Sequence, residues 1–228
     1  MNEQNHPPFS QPQEAVFSNF MQRVYQWMAA GLALTGLMAF IAISSVPLMH
    51  FLLGGGMWLF FIVELGIVFW LSASIRKISA QAAMLGFLIY SALNGVVLSS
   101  IFLYYTSASI SLTFFITAIT FGGVSVYGWV THQDLTSVGS FCGMALWGVI
   151  IASIVNIFFH APAFYWILSY VGVAVFIGLT AYDTQKLKAI HQNMPNAPEQ
   201  LAIFGALMLY LDFINMFLFL LRIFGRRR

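Results

Sequence analysis

The sequence predicts an all-α integral membrane protein, a bundle of about seven membrane-spanning helices. Three observations point there: 60% of the 228 residues are hydrophobic and only 7% charged, the mean hydropathy is +0.86, and apolar runs of about 20 residues, the length that crosses hydrocarbon, follow one another along the chain. Ordinary globular chains are about a quarter charged. A soluble fold could not cover its surface with so few charges, whereas lipid accepts apolar groups outside as well as inside.

The spans are justified in order. Residues 1–22 are polar and carry Pro7, Pro8 and Pro12, so they are expected to be a disordered tail, and residues 23–228 a single transmembrane helical domain. No cleavable leader is expected, because no charged segment precedes the first apolar run. Span one is expected over 25–46, stopped by Pro47, and span two over 51–74, apolar except for Glu64 and ended by Arg76 and Lys77. Spans three, four and five are expected over 80–104, 112–130 and 139–159. Span six starts at Pro162 and is apolar through Tyr182, after which Asp183, Gln185, Lys186 and Lys188 continue the helix in polar form toward a loop with Pro195 and Pro198. Span seven takes 201–221, interrupted by Asp212 and Asn215.

The short connections force successive helices to run antiparallel. Seven spans put Arg23, Arg76, Lys77, Lys186 and Lys188 at one face, which the positive-inside rule makes cytoplasmic. Arg222, Arg226, Arg227 and Arg228 then fall on the other face. Either span seven re-enters, or the earlier loops outvote the tail. On span five, Gly139 and Gly143 have a spacing that lets another backbone approach.

Several function classes lack a footprint. Cys142 is the sole cysteine, so neither a disulfide nor a cysteine metal site is available. The basic residues sit at span ends and form no nucleic-acid-binding stripe. His6, His50, His132, His160 and His191 are scattered without metal-ligand spacing. No P-loop, nucleophile elbow or HExxH motif occurs, and the chain is not expected to be an enzyme.

Chemistry concentrates on the acidic groups inside apolar runs, Glu64, Asp183 and Asp212, because an ionisable group at membrane depth costs about 2.5 kcal/mol or more. Asp212 lies near the bilayer midplane, and antiparallel pairing of spans six and seven brings Asp183 toward it. Two carboxylates in a poorly hydrated place cannot both ionise cheaply, so the pair is expected to share a proton and sense pH. Their hard oxygens suit Ca²⁺ or another hard cation, so the same two residues could gate a path and attract its ion. The plainer alternatives are that Asp183 pairs with Lys186 and that Asp212 hydrogen-bonds across helices. Glu64 is read either as a buried structural partner or as part of an ion path. Arg76 is an interfacial anchor or a counter-ion to the acidic pair. Asn94, Asn156 and Asn215 are read as interhelical hydrogen-bonding amides.

The segments Thr180-Ala-Tyr-Asp-Thr-Gln-Lys-Leu-Lys188 and Leu209-Tyr-Leu-Asp-Phe-Ile-Asn215 resemble the closing signature of the Bax inhibitor-1 family. The likeness extends to Val24-Tyr-Gln-Trp-Met28, Ile89-Tyr-Ser-Ala-Leu-Asn-Gly95, Tyr127-Gly128 and Leu220-Leu-Arg-Ile-Phe-Gly225, and thus covers nearly the whole chain beyond the first twenty residues. The resemblance implies seven helices with the last one central, and a proton-dependent Ca²⁺ leak across a bacterial inner membrane. It places the family's two-aspartate sensor on Asp183 and Asp212 and its basic group on or beside Arg76. The expected partners are the bilayer and calcium ions as cargo, with no resident cofactor. The alternative is an interaction protein that modulates a membrane protease or another integral partner without ion flux, and a proton-coupled transporter comes third.

Overall fold

The computed structural model describes residues 11–159, 161–194 and 197–228. Seven of its helical segments are long and apolar enough to cross a membrane. Residues 1–10 of the expected tail lie outside the described residues, as do His160 and Pro195.

Helix α1 (Gln11–Ile43) begins inside the segment expected to be disordered. The tail ends earlier than its polar composition suggests because Phe20 and Met21 are core residues, and the Phe20 ring stacks on His191 at 5.1 Å. Pro47 does not stop this helix; it opens α2 (Val46–Phe51), where proline's fixed φ suits the first turn. The chain then kinks through Leu52–Gly56, with Gly55 at φ 105° in the left-handed region, a conformation that glycine adopts without a Cβ clash. Helix α3 (Met57–Ser74) completes the second span.

Helix α4 (Ala80–Leu98) starts where the Ser79 hydroxyl accepts from the Ala82 amide at 3.2 Å. It gives way at Ser99 and Ser100 to α5 (Ile101–Tyr104). Thr106 caps α6 (Ser107–Val130) in the same way, accepting from the Ser109 amide at 3.3 Å. Such caps satisfy amides that have no partner within the helix. Next come α7 (Thr136–Phe159) and α8 (Pro162–Asn193), followed by α9 (Glu199–Phe224). At 1.5 Å per residue α8 is about 48 Å long, more than the roughly 30 Å of hydrocarbon. Its polar end is anchored outside, where Gln185 bonds the Gln133 carbonyl and the Leu135 amide, each at 2.8 Å, and Lys188 Nζ donates to the Trp129 carbonyl at 2.7 Å.

Helix α9 is the axis of the bundle, packed against α1, α4, α6 and α8. Most of its side chains are buried, whereas α3 buries only Glu64 and Leu71. Trp58, Ile62, Phe69, Trp147 and Phe158 face outward, as hydrocarbon solvent allows. The ends of the bundle are fixed by cross-links: Arg23 pairs with Glu199 at 2.9 Å at one end, and the chain after α9 pairs with Tyr105 at the other. Helix α9 therefore runs through without re-entering, and the C-terminal arginines lie at the end opposite Arg23.

Candidate functional site

The site lies where α8 and α9 run antiparallel. Leu187 packs over Gly205, Gly172 lies against the Phe219 ring, and the Phe176 ring stacks on Phe219 at 6.0 Å. This register sets Asp183 level with the turn that carries Asp212. Counted at 1.5 Å per residue, Asp212 is about 20 Å from the start of α9 and about 18 Å from its end, the middle of the span.

Both aspartates line one cavity of about 590 Å³, together with Ser153, Asn215 and the apolar side chains Leu146 and Phe176. They act on each other electrostatically. Asp212 is 5% exposed, and its Oδ2 has no hydrogen-bond partner among the described residues. An unpaired anionic oxygen in such a place is expensive, so this atom calls for a proton, a water or a cation. Asp183 is half-buried. Lys186, one turn further along α8, is the cation that acts on it; its ammonium also sits 5.8 Å from the Tyr182 ring centre. Among the described residues, Oδ2 of Asp212 makes no hydrogen bond to a neighbouring helix. Asn215 donates to the Leu211 carbonyl of its own helix at 2.8 Å, and Asn156 accepts from the Ala161 amide at 3.2 Å.

Arg76 is not brought to the pair. It is exposed beyond the end of α3 and forms no ion pair among the described residues. Glu64 is buried at 6% exposure but does not line the aspartate cavity. It lies on the other flank of α9, near Asn94, and its Oε1 has no partner among the described residues. Asn94 does bond across helices: the Tyr210 hydroxyl donates to its Oδ1 at 3.2 Å. The same hydroxyl is 2.6 Å from the Thr35 hydroxyl, which in turn reaches the carbonyls of Gly31 and Ser91, each at 2.9 Å.

This network of Thr35, Ser91, Asn94 and Tyr210 is the feature that sequence reading missed. Tyrosine and threonine are common in spans, and only the packing of α1, α4 and α9 shows that they converge. The α9 sequence does carry one signal, since Tyr210 and Asp212 are two positions apart and so point to different flanks of the helix.

Among the described residues no three His, Cys, Asp or Glu side chains gather as a metal cage. Two carboxylates with Asn215 and Ser153 lining the same cavity are hard oxygen donors, the kind that hard cations take.

Residues 17–228 match the protein family described as "Inhibitor of apoptosis-promoting Bax1". The chain is 46% identical over 220 residues to the inner membrane protein YbhL of Escherichia coli (strain K12), covering 94% of each. An uncharacterised protein of Borreliella burgdorferi is 42% identical over 222 residues, covering 95% of this chain and 96% of that one. The uncharacterised protein YrjE of Lactococcus lactis is 39% identical over 211 residues, 90% of each.

Proposed function

Because the chain belongs to the Bax inhibitor-1 family, we propose that this integral protein of a bacterial inner membrane is a pH-sensitive calcium leak channel, gated by Asp183 and Asp212. The observation that carries the reading is the cavity lined by two aspartates from neighbouring helices, with one buried oxygen of Asp212 unpartnered among the described residues. Two anions in a poorly hydrated cavity repel, so the pair holds a proton or recruits a cation. The occupancy of that proton alters how α8 sits on α9 and how strongly the cavity attracts Ca²⁺, which couples conduction to pH. The role is conduction, not catalysis. Arg76 acts as an interfacial anchor in this reading, and Glu64 belongs to the packing of α3 on α4.

The test is Ca²⁺ entry into liposomes holding the purified protein, followed across a pH series. Wild type leaks with a rate that changes with pH, and Asp212→Asn flattens the profile. An unchanged leak and profile in Asp212→Asn would sink the gating mechanism. Absent flux together with a stoichiometric partner cross-linked in native membranes would make the protein an interaction module for another integral protein.

A further inference from the structure

The two ends of the bundle differ in how their charges are balanced. At the end that holds Arg23, Arg76, Lys77, Lys186 and Lys188, the acids Asp134 and Glu199 accompany the cations. At the other end the charged side chains are Arg222, Arg226, Arg227 and Arg228. Segments 44–46, 104–109, 161–165 and 221–228 contain no Asp or Glu.

These arginines are held in place by the backbone. The Thr106 amide donates to the Arg226 carbonyl at 3.2 Å and the Arg228 amide to the Tyr104 carbonyl at 3.0 Å, so the arm after α9 forms a short antiparallel pairing with the link between α5 and α6. The Arg226 amide also donates to Ser109 Oγ at 3.1 Å. The Arg222 guanidinium lies 5.4 Å from the centre of the Tyr165 ring, and that of Arg227 lies 5.7 Å from the same centre.

Two guanidinium groups gathered on one tyrosine, with no Asp or Glu side chain in the segments of this end, repel each other. The N-termini of α6 and α8 open at the same end and add positive potential. A bound anion relieves this arrangement. The exposed rings of Tyr104, Trp166 and Tyr170 mark the level of lipid headgroups, where such side chains settle. Phe164, Ile167 and Phe224 are exposed next to the arginines and offer apolar surface to acyl chains.

We infer that the arginine arm is a binding site for an anionic phospholipid, its phosphodiester held by Arg222, Arg226 and Arg227 and its acyl chains lying on the apolar flank of α8 and α9. Guanidinium forks match phosphate oxygens in pairs. The net negative headgroup distinguishes phosphatidylglycerol from phosphatidylcholine, whose choline cancels its phosphate.

The test is native mass spectrometry of the full chain, freed from detergent after equilibration with either lipid. Phosphatidylglycerol is expected to be retained in preference to phosphatidylcholine. Retention should weaken about fivefold for each arginine removed, as for basic residues at an anionic surface, and so about 25-fold in Arg226→Gln with Arg227→Gln. Arg227→Lys keeps the charge and should stay within about fivefold of wild type. Arg76→Gln with Lys77→Gln, at the opposite end, should bind as wild type does. Equal retention of the two lipids would overturn the inference, as would wild-type retention in the double arginine variant. Displacement of the lipid by millimolar inorganic phosphate would overturn it too, because the site would then be one for a free anion.

Discussion

Replacing Gly128 by alanine tests how firmly α6 positions the helix that carries Asp183. A Cβ at Gly128 would lie 3.0 Å from Ala181 Cα and 3.1 Å from its carbonyl carbon, with the carbonyl oxygen nearer still. Carbon atoms pack best at about 3.5–4.0 Å, so α8 would have to retreat by about 0.5–1 Å. The obstacle is helix backbone, which cannot rotate away as a side chain can. Overpacking of this kind costs about 1–3 kcal/mol, while alanine's helix preference returns about 1 kcal/mol. Gly143→Ala on α7 isolates the second effect, because nothing among the described residues lies within 4 Å of its added methyl. Gly128→Ala should therefore be less stable than Gly143→Ala by about 1–3 kcal/mol. Thermal unfolding in detergent, followed by tryptophan fluorescence, reads the difference as a Tm lower by several degrees. The retreat of Ala181 also carries Asp183, two residues along, so the pH profile of ion leak should move in Gly128→Ala and not in Gly143→Ala. Equal stability of the two variants would refute the claim that backbone contact between α6 and α8 fixes the site.

Tyr210→Phe should keep the edge contacts with Phe87 and Tyr90 but lose the bonds to Asn94 and to the Thr35 hydroxyl; interhelical bonds of this kind are worth about 0.6 kcal/mol each and at most about 1.7, and unfolding in detergent measures the loss. Glu199→Gln removes a half-exposed ion pair with Arg23 and should cost less than about 1 kcal/mol, a difference that high salt abolishes in the same melting assay. Asp134 accepts from the hydroxyl and the amide of Thr136, which hold its carboxyl below the ordinary range. Because the folded value is the lower one, the stabilisation is present above the unfolded value and is lost as pH falls through the folded one. Protection of the amides in the first turn of α7, taken relative to their intrinsic exchange, should fall over that acid window in wild type and show no such step in Asp134→Ala.

The spans were legible because hydrocarbon leaves a simple mark on sequence, an uninterrupted apolar run. Their ends were less so. Pro47 looks like a stop from composition, yet the helix has already ended at Ile43 and the proline starts the next one. Phe20 and Met21 are two core residues in a polar stretch, too few to shift its average. Within the site, the depth of Asp212 followed from counting residues, and its nearness to Asp183 from the antiparallel order of the last two helices. Contacts at longer range were not readable. Of Gly139 and Gly143, only Gly139 meets a neighbour, the Tyr182 ring, since spacing marks a helix face without saying what covers it. Arg76 looked like a counter-ion by family likeness, but its position beyond the end of α3 keeps it from the midplane. Among the described residues, Asn94 alone of the three asparagines in the spans bonds to another helix, because side-chain direction depends on packing that periodicity does not encode.

The central claim is that Asp183 and Asp212 govern ion passage as one unit. A double-substitution cycle in liposomes, with Ca²⁺ leak recorded across pH for wild type, Asp183→Asn, Asp212→Asn and both together, measures that directly. If they act as one unit, each single substitution abolishes the pH response and the combined variant loses nothing more. Single variants that each remove a separate part of the response, with effects that add in the combined variant, would contradict it.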